Sequence, residues 1–353
     1  MDKKEYLSKM KDIQENLLSF LDSEGHPEED FQQFSDNLNN QQILGNGQYL
    51  NEFLQLLSKV SNNHHRTKNF FTKIERILDL LNNDIKQNFS NSSLFNIFIE
   101  NKKILLYLIQ QKLLVVDKHV YSTLNWPDFI DVFQFLQPEL MSYVTGDPID
   151  VKPEFEEFRK TGENERHLCQ LIREDSIEEF AKYVTQTNLS LSTKIIDDSN
   201  FETNPFLVTN YYPTLAEYAA FYGSIRIFNF LKRKNVEMKS YLWKFAIHSN
   251  NPSMIRILED LNIEPEDKTY KECYLEAVKC YHNNIAEYIR QIYLENQEIE
   301  NSELFSLYNF EYLPDDFYNE SNFTLLCKYN YKHLVKILLD DKSSNININP
   351  TKI

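Results

Sequence analysis

Three segments of this chain repeat one pattern of small, apolar and helix-ending residues, and this internal repeat constrains the fold more than any other feature. Each begins with alanine, carries apolar residues eight, nine and twelve positions later, and ends with glutamate. In two segments the residue four positions after the alanine is glycine or asparagine, which tolerates the left-handed backbone that ends a helix. The pattern predicts two short helices joined by a turn, and neighbouring copies must stack because one such hairpin cannot bury its own apolar face. The segments are Ala219–Glu237, Ala246–Glu264 and Ala277–Glu295.

Weaker copies of the same pattern begin at Ile97, Ile172 and Leu326. Each keeps apolar residues behind the turn, and Asn101 and Asn330 occupy the predicted turn position. Strict alternation of apolar and polar residues is nowhere sustained, so we expect strands to be absent or very short.

The sequence divides into three segments of different character. Residues 1–93 carry apolar residues three and four apart, which is typical of a small bundle of amphipathic helices. Residues 94–163 hold one weak copy and several prolines, and predict an irregular connection with short helices at 126–135 and 153–160. Residues 164–349 hold the predicted repeat array. The expected fold is all-α, a helical-hairpin solenoid preceded by an N-terminal helical bundle.

Glycine content and net charge exclude several classes of function. The chain has 6 glycines among 353 residues, where ordinary usage would give roughly 25, so folds built on glycine-rich phosphate loops are not expected. The formal net charge of −16 argues against nucleic acid or an anionic membrane as the main partner, because both attract a basic face.

Cysteine usage and hydropathy indicate a reducing compartment. The 4 cysteines are too scattered for a disulfide framework, and the charged start carries no apolar signal core. The most apolar stretch, residues 104–116, is too short to span a membrane. We expect a cytoplasmic location, with the nucleus as the alternative.

Motif searches predict no catalytic residue, no metal site and no cofactor. The chain lacks the phosphate-loop, nucleophile-elbow and His-Glu-x-x-His patterns, and it has no Cys-x-x-Cys pair. His64 and His65 are interpreted as a solvated helix start, not as a metal or acidic-partner contact, because adjacent residues point apart on a helix and no third ligand lies nearby in the sequence. Cys273 and Cys280 are interpreted as small apolar residues at repeat interfaces, in preference to a redox or metal pair.

The segment 214–223 resembles the ankyrin repeat, whose pattern there is Thr-Pro-Leu-His-x-Ala-Ala-x-x-Gly. Thr214, Ala219, Ala220 and Gly223 match that pattern, while the family's Pro, Leu and His are replaced. The chain is also similar to the degenerate ankyrin-like proteins of unknown function that are expanded in some parasitic protists. The runs that carry this second resemblance are EYAAFYGSIRIFNFL, LWKFAIHSNNPSMIRILE and CYLEAVKCYHNNIAEYI.

The resemblance implies an ankyrin-like solenoid whose concave face carries the residues two and three positions after the repeat's first residue. Nothing in the core pattern requires aromatic side chains there, so these positions predict a protein-binding stripe. Its lysines make the stripe locally basic and suit an acidic segment of a partner. The alternative is that the N-terminal helices or a loop cover it. The candidate residues are Phe221, Tyr222, His248, Ser249, Lys279, Lys328 and Tyr329.

The sequence therefore predicts a non-enzymatic protein–protein interaction module, with a partner whose identity is unknown. One alternative is an adaptor whose N-terminal helices, residues 1–90, recruit a second protein while the repeats choose the target. A more remote alternative is an enzyme with an unrecognised site, which would show ionisable residues converging in a deep pocket.

Overall fold

The computed structural model describes residues 3–208, 212–294, 297–313 and 320–340. Helices dominate these ranges, and the β-structure within them is a single isolated antiparallel bridge between Ile195 and Thr214. The fold of the described chain is therefore all-α, as predicted. Within the same ranges, none of the helices is both long and apolar enough to cross a lipid bilayer.

The helices are numbered in chain order. The first eleven are α1 (Lys3–Asp22), α2 (Pro27–Asn40), α3 (Gly47–Asn63), α4 (Phe70–Leu80), α5 (Asn82–Asn88), α6 (Asn91–Phe98), α7 (Lys102–Gln110), α8 (Lys118–Leu124), α9 (Ile130–Phe135), α10 (Gln137–Thr145) and α11 (Pro153–Thr161). The others are α12 (His167–Arg173), α13 (Ile177–Thr187), α14 (Leu215–Phe221), α15 (Ile225–Arg233), α16 (Leu242–His248), α17 (Pro252–Asp260), α18 (Lys271–Lys279), α19 (Asn283–Tyr293), α20 (Asn301–Leu307), α21 (Glu320–Lys328) and α22 (Lys332–Asp340). Short 3₁₀ segments lie at Pro127–Phe129 and Phe310–Tyr312.

The described residues form two compact units, each drawn from more than one stretch of the chain. Unit 1 combines the N-terminal helices with the last helices, and unit 2 holds the middle of the chain. Unit 1 comprises the described residues of Met1–Ser61, Arg66–Ile97 and Glu298–Ile353, whereas unit 2 comprises Asn62–His65 and the described residues of Phe98–Gln297.

In unit 1 the chain's last helices pack against its first helix, so these units differ from the predicted segments 1–93 and 164–349. The buried side chain of Gln14 on α1 donates to Asn309 Oδ1 at 2.8 Å and accepts from the Phe310 backbone N–H at 2.9 Å. Helix α1 also contacts α22. The last repeat therefore shares a core with the N-terminal helices. The end of the predicted array, beyond position 340, lies outside the described residues.

Helix pairs joined by a turn of three residues recur six times in the described chain, at the places where the sequence predicts copies of the repeat. In five of these turns the middle residue has a positive φ, which confirms the predicted left-handed end of the first helix. The pairs are α6–α7, α12–α13, α14–α15, α16–α17, α18–α19 and α21–α22. The left-handed residues are Asp175, Gly223, Asn250, Tyr281 and Asn330.

Two weaker copies lie one residue from their predicted frame. The left-handed residue of the α12–α13 turn is Asp175, so that copy begins at Leu171 and not at Ile172. The copy near Ile97 likewise begins one residue earlier, because residues 99–101 form its turn. Leu171 and Ile172 are both buried apolar residues, so hydrophobicity alone does not distinguish the two frames.

Consecutive hairpins stack in unit 2 through their first helices: α12 contacts α14, α14 contacts α16, and α16 contacts α18. Ala219, Ala246 and Ala277, the first residues of the three strong copies, are fully buried. Their small side chains let the helices approach closely. The apolar residues behind each turn are also buried, namely Ile227, Phe228, Leu231, Met254, Ile255, Leu258, Ile285, Ala286 and Ile289.

The proline-rich segment 94–163 forms short helices, as predicted. The predicted helix at 126–135 is a 3₁₀ turn followed by α9, and the predicted helix at 153–160 is α11. Both begin at a proline, which fits the first turn of a helix because the N–H that it lacks would have no partner there.

Candidate functional site

Two residues of the predicted binding stripe are buried in the structure. Phe221 is 7% exposed and His248 is 2% exposed. The ring of Phe206, from the segment that joins α13 to α14, lies 5.9 Å from the Phe221 ring and 4.1 Å from the His248 ring, centroid to centroid. Phe221 and His248 are therefore core residues, and for these two the alternative of a covering loop applies.

The other stripe residues keep some solvent exposure but do not all belong to one unit. Tyr222, Ser249 and Lys279 are half-buried in unit 2. Lys328 is exposed and Tyr329 half-buried in unit 1, where the lysine ammonium lies 5.0 Å from the tyrosine ring centre. Of the seven predicted residues, the structure thus brings together the five of unit 2.

Three histidines of unit 2 form a cluster that the sequence did not predict. His64, His65 and His282 each offer a ring nitrogen, and these three atoms lie within 4.8 Å of one another. His64 is 2% exposed, so the interpretation of His64 and His65 as a solvated helix start is wrong. The third histidine that the sequence lacked nearby comes from the turn between α18 and α19, 217 positions from His65.

Backbone carbonyls determine which ring nitrogens carry hydrogen. His64 Nδ1 lies 2.9 Å from the Cys280 carbonyl oxygen, and His282 Nδ1 lies 2.8 Å from that of Ile247. A carbonyl only accepts, so Nδ1 donates in both rings, and Nε2 carries the lone pair of each neutral ring. His65 Nδ1 lies 3.1 Å from His282 Nε2. Burial lowers the pKa of His282 well below its ordinary value, and His64 and His65 add to this effect.

Local structure holds the three rings in place. His282 is the third residue of its turn and the N-cap of α19. His64 and His65 follow the end of α3, where the buried amide of Asn101 donates to the buried Asn62 side chain at 2.7 Å. Asn101 also caps α7 through Ile104 N–H. Both halves of the cluster are therefore fixed by hydrogen bonds within unit 2.

A second group of chemically active side chains lies beside the histidine cluster. His248 Nε2 and Lys279 Nζ both contact Glu276 Oε1, at 2.8 and 3.0 Å. Burial alone would raise the pKa of Glu276, but the hydrogen bond from His248 and the Lys279 charge lower it to about 2. Cys280 Sγ lies 3.5 Å from His248 Nδ1.

The Cys280 thiol is not arranged as a nucleophile. It is fully buried, and burial raises its pKa well above the ordinary value, whereas reactive cysteines are partly exposed thiolates in electropositive surroundings. Cys273 is also free and buried, in α18, and burial raises its pKa too. Both cysteines are therefore buried, as predicted for residues at repeat interfaces, but the Cys280 thiol contacts the His248 ring and is not in purely apolar surroundings.

Polar side chains at the third position of the turns connect neighbouring hairpins. Ser224 Oγ donates to the Ile172 carbonyl at 2.5 Å, and His282 Nδ1 donates to the Ile247 carbonyl at the equivalent position of α16. Asn251, the third residue of its turn, contacts the Gly223 carbonyl at 3.5 Å. Serine, asparagine and histidine at this one position are a sequence signal that could have revealed these contacts. His64 and His65 had no such signal, because their partner is distant in the sequence.

No protein-family model, curated protein or solved structure matches the chain. The geometry described above is therefore the basis of the functional proposals that follow.

Proposed function

We propose that the chain is a non-enzymatic, ankyrin-like helical-repeat module that binds a segment of another protein. The observation that carries the proposal is the recurrent hairpin of unit 2, with two short helices, a three-residue turn and a left-handed middle residue. Stacked hairpins of this kind hold a surface rigid, which limits the conformational entropy lost on binding. The resemblance of residues 214–223 to the ankyrin repeat supports the same function.

The proposed binding surface is the half-buried part of the predicted stripe in unit 2, namely Tyr222, Ser249 and Lys279. Phe221 and His248 are left out because Phe206 covers them. The Lys279 ammonium is already paired with Glu276, which weakens the argument for an acidic partner. We therefore propose a protein segment as the ligand and do not require it to be acidic.

Site-specific photocrosslinking in the source cell tests this proposal. A photoreactive phenylalanine analogue is placed at Tyr222 or Ser249 in separate proteins, and at the exposed Glu287 on α19 as the matched control. We expect the same partner to be captured from both stripe positions and not from the control position. Capture of that partner from Glu287 alone would contradict the choice of surface.

The adaptor alternative requires the N-terminal helices to act as an independent module. Gln14 is buried against Asn309 and Phe310, residues at the other end of the chain. An isolated fragment of residues 1–90 would leave the polar atoms of Gln14 without these partners. This observation argues against residues 1–90 as a module that folds and binds alone.

A further inference from the structure

We propose that His64, His65 and His282 form a binding site for one Zn²⁺ ion. Their ligand nitrogens lie within 4.8 Å of one another. In a tetrahedral site with Zn–N bonds of about 2.0–2.1 Å, neighbouring nitrogens are about 3.4 Å apart. The 3.1 Å between His65 Nδ1 and His282 Nε2 is close to that value, so only small side-chain movements separate the present cluster from a coordination sphere.

The hydrogen bonds around the cluster are those of metal-binding histidines. A histidine that binds a metal through one nitrogen usually donates its other N–H to a carbonyl or carboxylate, which fixes the ring and its tautomer. His64 and His282 do this through Nδ1, with the Cys280 and Ile247 carbonyls as acceptors. In both rings Nε2 is therefore the nitrogen suited to the ion.

The donor set selects the class of ion. The three ligand atoms of this group are imidazole nitrogens, which suit Zn²⁺ and other late first-row ions. Ca²⁺ and Mg²⁺ prefer oxygen ligands. His65 is half-buried while the other two rings are buried, so the cluster has one side open to solvent, where a water molecule could complete a four-coordinate ion.

An ion at this site would also act as a cross-link within unit 2. It would join the segment Asn62–His65 to the turn between α18 and α19, over a separation of 217 residues for His65 and His282. Because the unfolded chain does not preform such a site, binding would stabilise the folded state. This role is independent of the proposed protein-binding surface.

Metal titration of the full-length, tag-free chain tests the proposal. After removal of metals with a chelator, Zn²⁺ is titrated in competition with a chromophoric chelator of known affinity. We expect one equivalent of Zn²⁺ per chain, a higher Tm with Zn²⁺, and visible absorption of a tetrahedral Co²⁺ complex. The absence of both stoichiometric Zn²⁺ binding and the Co²⁺ band in the wild type would overturn the proposal, whatever the variants do.

Variants locate the ion. His65→Gln removes the half-buried ligand. Loss of a residue that only hydrogen-bonds to a metal ligand lowers metal affinity about 10–100-fold, and we expect His65→Gln to lower Zn²⁺ affinity by more than this. His26→Gln, at an exposed histidine of unit 1, is the matched control and should bind as the wild type does. Circular dichroism verifies that both variants are folded. Equal Zn²⁺ affinity in the two variants, or equally tight binding of Mg²⁺, would contradict this site.

Discussion

Replacement of Glu52 by glutamine should remove a pH dependence of stability from unit 1. Glu52 on α3 is fully buried, and its carboxylate accepts the His333 backbone N–H at 2.7 Å and the Tyr308 hydroxyl. Burial raises its pKa from 4.5 to about 7, although these two hydrogen bonds and the charge of Lys332 act in the opposite direction. The folded chain therefore binds this proton more tightly than the unfolded chain does.

The sign and size of the effect follow from proton linkage. With a folded pKa of about 7 and an unfolded value near 4.5, the protonated carboxyl stabilises the folded state fully below pH 4.5. That stability is lost as the pH rises through 7. Between pH 5 and pH 8 the loss is about 2–3 kcal/mol. Glutamine does not ionise. The free energy of unfolding of Glu52→Gln should therefore rise by this amount relative to that of the wild type between pH 5 and pH 8.

Urea denaturation followed by circular dichroism at pH 5, 6, 7 and 8 measures the difference in unfolding free energy between the wild type and Glu52→Gln. The 2 tryptophans, Trp126 and Trp243, both belong to unit 2, so tryptophan fluorescence follows that unit alone. If the two signals give separate transitions, the pH-dependent difference should belong to the transition that fluorescence does not report.

A free-energy difference that stays constant from pH 5 to pH 8 would refute the reasoning, and so would a relative loss of stability in Glu52→Gln as the pH rises. Glu15→Gln removes an exposed carboxylate from α1 of the same unit and is the matched control for charge. An equal pH-dependent gain in that control would assign the effect to net charge and not to burial.

Three further predictions concern stability. Gly223→Ala should lower the free energy of unfolding by about 1–2 kcal/mol, since φ is +65° and the new Cβ would lie 3.2 Å from the Asn251 amide nitrogen. Gly25→Ala, with open space around it, should leave the free energy of unfolding unchanged. Equal urea midpoints for the two variants would contradict this prediction. Thr214→Ala should lower the free energy of unfolding by about 1 kcal/mol because Thr214 and Glu217 form a capping box. Thr214→Ser should retain the wild-type stability. An equal loss of stability in both variants would assign the effect to packing and not to the cap. A fragment of residues 1–90 should lack cooperative unfolding by circular dichroism, and a sharp thermal transition would revive the adaptor alternative.

The hairpins could be predicted from the sequence because local energies determine them. Gly223 and Asn250 occupy left-handed turn positions where most other residues are strained, so their types identify the turn. Apolar spacing identifies the buried face of each helix for a similarly local reason. Tyr281 adopts the same left-handed backbone with φ of 59°, and there the surrounding repeat, not the residue type, determines the turn.

The contacts that join distant parts of the chain could not be predicted in this way. The pairing of His65 with His282 and that of Gln14 with Asn309 connect residues whose local sequences carry no mark of each other. Phe206 covers Phe221 and His248 from a segment without helical periodicity, so nothing in the pattern indicated where its ring would pack. The repeat predicted which residues form hairpins but not what lies on them.

The hydrogen bonds of Ser224 and His282 run in one direction along the stacked hairpins. In each case the buried donor belongs to the later hairpin and the carbonyl acceptor to the earlier one. A carbonyl that loses one of two acceptor contacts is tolerated better than a buried donor without any acceptor. At these two contacts, loss of the earlier hairpin should therefore cost more than loss of the later one. At these two contacts a chain synthesised from its N-terminus meets this requirement in order, because the acceptor is in place before the donor that needs it.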